Sequence, residues 1–338
     1  MKIIGRIAAY LTCAAAIIFT LFTAYPATSG KTEAPVAPGE YKTVLTLWHV
    51  DSFEGGIGSR ADFLSSSLTE MRDEGIIVLV KNHTTESMSA AISKGELPDL
   101  VSFGAGCETA TKFARELPFA SCAGSEKGGK YYAAPWCFGG YYLIAKTEDN
   151  RLIEGFNEVN KEKTLEKLIV SQGENTLPAL ALKMGGVTTK SAEYYPPYDA
   201  YVEFLKEKNV VLLGTQRDLK RLEKRRVGFS AVPLHGFCDL AQYIAITTKS
   251  DDKFSFCLKA VKRLLNEKVQ KKLGKIGMMR TDGQADDGEF FGYDFFKNEF
   301  TSSVFLSGEI IRSVQAELKN SESDLKISEN VKNGLKRL

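Results

Sequence analysis

The hydrophobic pattern opens with a run unlike anything after it. Ile7 to Phe22 are apolar apart from hydroxyls and one thiol, with Lys2 and Arg6 in front and small residues behind, where Ala27-Thr28-Ser29 fits a small-x-small cleavage site. This is the layout of a secretory signal over residues 1–29, cleaved or kept as an anchor. The run is short for a membrane span. Cys13 sits inside it rather than after it, which argues against lipidation of that thiol. Residues 30–41 hold Pro35, Pro38 and Gly39 with few apolar groups and read as a linker.

Beyond the linker the period changes. Thr43 to Val50 is a compact β-branched and apolar run, which predicts a buried strand. A glycine-rich loop follows. Ser59 then caps a helix running to about Glu74, with Asp62 as capping-box partner and Gly75 as its stop. Ile76 to Val80 predicts a second strand, Thr85 to Lys94 a short helix ended by Gly95, and Leu100 to Phe103 a third strand. Strand and helix alternating with short connections is the pattern of a parallel α/β sheet.

Tyr131 to Lys146 reads as two apolar strands around Pro135 and Gly139-Gly140, and the glycine pair offers backbone torsions suited to a crossing between two lobes. Further on, Asn160–Gln172 and Ala200–Lys208 are helix candidates, and Val210–Leu213 is a strand. Gly214 to Asp218 turn into a basic helix to Arg226. Phe229–Leu234 and Gln242–Thr248 are strands. Asp251–Leu273 has the spacing of one long amphipathic helix. An aromatic stretch, Phe290–Phe300, reads as packing and precedes helices near Ser307–Leu318 and Ser328–Leu335.

The 338 residues suffice for more than one domain, and 43% hydrophobic with 25% charged residues is a globular mixture. The net charge of +2 falls to zero without residues 1–29, which argues against nucleic acid as a partner. Only His49, His83 and His235 are present, without metal-ligand spacing, and the hydrolase elbow, phosphate-loop and dinucleotide motifs are missing. No cofactor is expected. The five cysteines past the signal, Cys107, Cys122, Cys137, Cys238 and Cys257, match no disulfide framework and read as small buried apolar residues.

Four segments carry a resemblance. They are Leu45 to Arg60 (LTLWHVDSFEGGIGSR), Pro98 to Gly104 (PDLVSFG), Ala134 to Tyr141 (APWCFGGY) and Gly214 to Asp218 (GTQRD). Together the chain resembles the extracellular solute-binding proteins of bacterial ABC importers, family 1, mainly carbohydrate binders, in the style of Gram-positive bacteria. The resemblance implies an α/β, two-lobed periplasmic-binding-protein-like fold (type II) with a ligand cleft. Lobe one would be 42–138 plus 239–278, and lobe two 139–238 plus 279–338. It implies an exported, monomeric, non-enzymatic protein whose partners are a small ligand, a sugar or polyol, and a membrane permease. The body is short beside many members, which argues against a large oligosaccharide.

Open α/β sheets bind ligands beyond the carboxyl ends of their strands. The candidates are therefore Trp48, His49, Asp51, Ser52 and Glu54 after the first strand, Phe103 and Gly104 after the third, Trp136 at the crossing, and Gln216 and Arg217 from lobe two. Carboxylates accept several hydrogen bonds from hydroxyls, and an indole face can stack on a sugar ring. Each has a plainer reading. The tryptophans can fill the core, Glu54 can sit beside a helix dipole, Arg60 can be a solvated first-turn residue, and Asp218 can cap its own helix or pair with Arg217. Two other functions stay open: binding of an anion at the helix starts near Ser59 and Thr215, and a secreted hydrolase using Asp51, Glu54 or Asp99.

Overall fold

The computed structural model describes residues 41–51, 53, 57–156, 163–284 and 307–320. The chain divides into two compact units, 1–42 and 43–338. Only Tyr41 and Lys42 of the first are described, so the predicted signal and linker lie outside the described residues, as do Phe290–Phe300 and the helix near Ser328.

The second unit contains the strands β1 (Thr43–Val50), β2 (Ile76–His83), β3 (Leu100–Phe103), β4 (Ala134–Phe138), β5 (Tyr141–Lys146), β6 (Leu168–Ser171), β7 (Ala192–Tyr195), β8 (Val211–Thr215), β9 (Phe229–Pro233) and β10 (Ala241–Ile246). Its main helices are α1 (Arg60–Thr69), α2 (Thr85–Ser93), α3 (Pro178–Met184), α4 (Pro197–Lys206), α5 (Gln216–Lys224), α6 (Asp251–Leu264), α7 (Glu267–Gln270) and α8 (Gly308–Asn320).

The strands form two five-stranded sheets, ordered β2-β1-β3-β10-β4 and β7-β6-β8-β5-β9. In the first, β2 and β3 flank β1 in parallel, and β10 runs antiparallel to both β3 and β4. In the second, β7, β6 and β8 are parallel while β5 runs against β8 and β9. The fold is mixed α/β with two lobes, one per sheet. Every residue of β3, β4, β5, β6, β8 and β10 is buried. Such strands are covered on both faces, which is why they read as unbroken apolar runs rather than alternating ones.

Local signals hold at most element ends. The Ser59 hydroxyl accepts from Asp62 N at 3.1 Å and starts α1, and Gly75 closes its 3₁₀ extension with φ of 77°. Thr215 and Asp218 form a reciprocal capping box on α5. Two predicted helices are corrected. Within Asn160–Gln172, the described residues form a short strand at Lys163–Leu165 and then β6. Ile169 and Val170 are buried between β7 and β8, and pairing overrides the local helical pattern. The single helix expected over 251–273 ends at Leu264. Asn266 accepts from Lys268 N at 2.9 Å and caps α7 as a new start.

The described chain passes between the sheets at two places, and a third segment lies beside them. Gly139 and Gly140 join β4 to β5, residues 234–240 lead from β9 to β10, and residues 277–281 leave the first sheet's helix layer. Gly139 N donates to Leu240 O at 2.6 Å, and Met279 N donates to Phe138 O at 2.9 Å. Gly140 N donates to Gln216 Oε1 at 3.0 Å, and Gln216 is fully buried. Neither glycine of the pair has a positive φ. Glycine is needed at 139 for space, because a Cβ there would lie 2.5 Å from both Nε2 and Oε1 of Gln216.

Gly139→Ala is expected to destabilise the protein by about 1–3 kcal/mol through this overpacking. Gln216→Ala also destabilises, by about 1–3 kcal/mol, because it strands the buried Gly140 N–H. The double variant should lose clearly less than the sum, since removing the amide makes room for the new methyl. Urea unfolding of the four proteins checks this, and strict additivity would contradict the packing argument.

Candidate functional site

The carboxyl end of β1 starts a buried polar chain. Trp136 Nε1 donates to Ser102 Oγ at 3.0 Å, and Ser102 Oγ lies 3.0 Å from His49 Nδ1. His49 Nε2 lies 2.7 Å from Asp51 Oδ1, which also accepts from Arg60 Nε at 2.8 Å. Because the serine oxygen already accepts from the indole, its hydroxyl is free to donate to Nδ1. In that arrangement the Nε2–H faces Asp51. Desolvation pushes against ionisation of Asp51, but the His49 hydrogen bond and the Arg60 charge prevail and hold its carboxyl at about 2.

Arg60 ends the chain. It is buried rather than solvated at the start of α1, donates to the Phe53 carbonyl, and sets its guanidinium 4.3 Å above the Phe53 ring. Burying that ring contributes about 1.5–3 kcal/mol, and the cation–π contact adds about 0.5–1 kcal/mol.

Several predicted ligand residues have other occupations. Trp136 is fully buried and stacks on Phe63 with centroids 5.8 Å apart, while Trp48 is 6% exposed and lies 4.4 Å from the His83 ring. Neither indole turns a face to open space, because each ring fills the layer beneath the strand ends. His49 is likewise buried within the polar chain. Phe103 is buried against Tyr243, and Gly104 is buried beside it. Gln216 braces the crossover, its Nε2 3.7 Å from Met278 Sδ. Arg217 is half-buried, its backbone N 3.3 Å from Thr215 Oγ1, and the ion pair of Asp218 is with Arg221. Asp51 stays exposed at its carboxylate. Ser52 and Glu54 lie outside the described residues. Cys107, Cys137, Cys238 and Cys257 are buried thiols, and Cys122 is half-buried.

What the tertiary structure brings together is two separate recesses, each lined in part by the loop of residues 172–177. The first has a volume of about 360 Å³. The start of α2 contributes Thr85 and Glu86, the loop after β3 contributes Gly106, the loop after β6 contributes Glu174 and Asn175, and α8 contributes Arg312 and Gln315. Gly106 has φ of 84°, and a Cβ there would lie 2.7 Å from Asn175 Oδ1, so the two loops meet only at a glycine. Gln315 Nε2 reaches the carbonyls of Gly173, Glu174 and Thr176 at 3.2, 3.2 and 2.8 Å, fastening the loop to α8. The Glu86 carboxyl is held below the usual range, first by its own backbone N–H at the helix start, then by the Thr84 hydroxyl, with a smaller contribution from Arg312.

The second recess, of about 10 Å³, is lined by Phe53, by the strand ends Ser171 and Thr215, and by Tyr141, Gly173, Thr176, Pro197 and Leu240. That is about the room of one water. Beneath it, Tyr141 OH and Leu177 N each donate to the fully buried Asp239 at 2.7 Å. Burial pushes the Asp239 carboxyl up to about 6 against the lowering effect of both donors.

A larger groove of about 470 Å³ lies in the helix layer of the first sheet, between Glu70–Glu74 and α6. Lys259 pairs there with Glu74 at 3.0 Å and Arg263 with Glu70, Lys262 and Lys268 leave the lining with more cations than carboxylates, and none of the lining residues belongs to the strand ends or the crossovers. Of the candidate hydrolase carboxylates, Glu54 lies outside the described residues, and Asp51 and Asp99 are far apart. Asp99 stands at the amino end of β3 opposite Thr46, roughly 16 Å along the strands from Asp51, beyond the roughly 5–9.5 Å of a glycosidase pair. Asp99 is bound instead to Thr46 N at 2.9 Å and Lys253 Nζ at 3.1 Å. Among the described residues no group of three or more His, Cys, Asp and Glu side chains is placed to hold a metal.

The fold has solved counterparts. The maltose/maltodextrin-binding domain MalE of Bdellovibrio bacteriovorus bound to maltotriose is 17% identical over 87% of this chain and 99% of its own, with a TM-score of 0.51. The sugar-binding protein MalE of the phytopathogen Xanthomonas citri is 12% identical over 87% of this chain and 96% of its own, at 0.57. Iron-bound HitA of Pseudomonas aeruginosa is 13% identical over 82% of this chain and 99% of its own, at 0.55. These are likenesses of fold, and the proteins concerned are binding proteins. No family model matches the sequence, and no curated protein does.

The pH dependence of stability should carry two signatures of opposite sign. Between about pH 4 and 6 the folded chain keeps a proton on Asp239 that the unfolded chain has released. Unfolding free energy therefore falls as pH rises through that window, by at most about 3 kcal/mol. Asp51 acts the other way. Its contribution is present above about pH 4 and is lost as pH drops toward 2. Denaturant titrations across pH 2–7 on the wild type and Asp239→Asn test the first signature. The variant should lose the decline between pH 4 and 6, and an unchanged decline would exclude Asp239 as its source.

Proposed function

We propose that this chain is the extracytoplasmic solute-binding component of an ABC importer, similar to the family 1 carbohydrate binders, and that it captures a sugar or polyol between its lobes for a membrane permease. The observation that carries the reading is the polar recess of about 360 Å³ at the strand ends, to which both sheets' loops and α8 contribute. Its groups suit hydroxyls. Glu86 and Glu174 accept, Arg312 donates, and Thr85 and Asn175 do either. The sugar-binding counterparts of the fold support the same ligand class.

Neutral hydrogen bonds contribute about 0.5–1.5 kcal/mol each and charged ones about 1.5–3 kcal/mol. Four or five of them reach the roughly 8 kcal/mol of micromolar affinity. Binding alone accounts for such a site, so no reaction is assigned to it. Ligand held by both lobes favours their closed arrangement, and the permease reads that arrangement. The apolar segment Ile7–Phe22 supports export, with the body outside the cytoplasmic membrane. Among the described residues no helix is long and apolar enough to cross a membrane. In this reading Asp51 and His49 hold the cleft wall rather than the ligand.

Titration calorimetry of the purified chain against mono- and disaccharides, polyols and inorganic anions tests the proposal. Saturable binding of a sugar or polyol is expected. Arg312→Ala and Glu86→Ala should each weaken it about tenfold or more without loss of secondary structure, since each removes a charged hydrogen-bonding partner. Saturable binding of an anion only, or of nothing in the panel, would refute the sugar reading.

A further inference from the structure

One flank of the first sheet's helix layer is strongly basic. From Lys259 to Lys275 the chain carries seven cations and one carboxylate, Glu267, in a body that is neutral without residues 1–29. The balancing negative charge therefore lies elsewhere. The cations follow helical spacing. Lys259, Lys262 and Arg263 share one side of α6, and Lys268, Lys271, Lys272 and Lys275 repeat steps of three and four residues beyond the Asn266 cap. Glu70 links the two runs. Arg263 pairs with it, Lys268 Nζ lies 3.7 Å from it, and these two charges with Lys272 hold its carboxyl below the usual range.

The flank has too few carboxylates of its own. Glu74 takes Lys259 and Glu267 takes Lys271, at 3.0 and 2.6 Å. Lys262, Lys272 and Lys275 make no ion pair among the described residues, and Lys262, Lys271 and Lys275 are exposed. Of these, only Lys262 lines the groove of about 470 Å³. Unmatched charge that lies both inside and outside a groove suits a broad negative surface better than one small anion held within it. The other basic run, on α5, is largely engaged within its own lobe. There Lys220 pairs with Glu223 at 3.1 Å and Arg221 with Asp218 at 3.3 Å, and Arg221 and Arg225 cover the Tyr201 ring.

The flank also lies where the amino-terminal segment joins the body. Thr43 N donates to Gly75 O at 3.3 Å, and Gly75 directly follows Glu74 of the groove wall. The chain before Thr43 is the predicted linker and apolar leader.

We propose that this flank is an interaction surface for the anionic phospholipid headgroups of a membrane, against which Lys262, Lys271, Lys272 and Lys275 hold the body. Basic clusters on amphipathic helices bind anionic lipid in this way, each cation strengthening association about fivefold, and salt screens the attraction. The proposal does not depend on what the recess beside Glu86 and Arg312 binds.

The experiment uses the full chain with vesicles of phosphatidylcholine alone and of phosphatidylcholine mixed with phosphatidylglycerol. The apolar leader can enter either kind, so docking of the body itself is read by lysine acylation and mass spectrometry. Lys190 and Lys206, exposed beside the second sheet, serve as references. On the mixed vesicles Lys262, Lys271, Lys272 and Lys275 should react about threefold or more slowly than on phosphatidylcholine, with the references unchanged. Salt at about 1 M, where the screening length is about 3 Å, should remove the difference. The triple variant Lys262→Gln, Lys271→Gln and Lys275→Gln should lose the protection of Lys272, and its preference for mixed over neutral vesicles in sedimentation should fall about tenfold or more.

Equal acylation on both kinds of vesicle overturns the proposal, as does protection that survives salt or persists at Lys272 in the triple variant. Slower acylation of Lys259, Lys262 and Lys268 with inorganic phosphate, and none with vesicles, overturns it in favour of a free anion in the groove.

Discussion

The two described passages between the sheets depend on keeping polar groups satisfied in a dry, crowded seam. Backbone N–H and C=O groups there have no water to turn to, and each must find a partner within the protein. Gln216 meets this constraint by reaching across from the start of α5 to accept from Gly140 N, and Gly139 permits it by having no side chain. Asp239 meets it a few ångströms further on by accepting from Tyr141 and from the N–H of Leu177 that opens α3. These contacts join the crossovers to helices of the second sheet, so the seam sets how the two sheets' strand ends face each other.

A second polar construction stands on the first sheet and looks into the same cleft. Trp136, Ser102, His49, Asp51 and Arg60 form one hydrogen-bonded line from the core to the surface. Its members are buried except at Asp51, and in low dielectric each bond polarises the next. The line ends by gripping Phe53. The two tryptophans expected at the ligand are buried, Trp136 at the core end of this line and Trp48 against the His83 ring.

Much of the fold was legible because local rules and tertiary packing agree. Thr43–Val50 and Leu100–Phe103 match observed strands to the residue, and Ser59, Gly75 and Thr215 mark ends as their chemistry requires. Where the two disagree, packing prevails. Leu168–Ser171 is a strand because neighbours on both sides pair with it. The helix after Asp251 stops at Leu264 and restarts behind Asn266, a cap hidden inside a continuous amphipathic pattern.

The site was less legible. Glu86, Glu174, Asn175, Arg312 and Gln315 sit in three segments spread over more than two hundred residues and carry no shared motif. The short helix after Thr84 was a visible signal, but the segment before Gly173 read as a helix rather than a strand, and nothing local says that the two face one another. The sequence by itself determined the alternation of strands and helices, the glycine crossing, the polar end of β1 and the apolar leader, because these follow from periodicity and from residues with restricted or permissive backbones. Only the tertiary structure decided that the tryptophans are buried, that Gln216 is a brace and that Phe53 packs under Arg60, because burial and contact between distant elements are properties of elements packed together, not of the spacing along one chain.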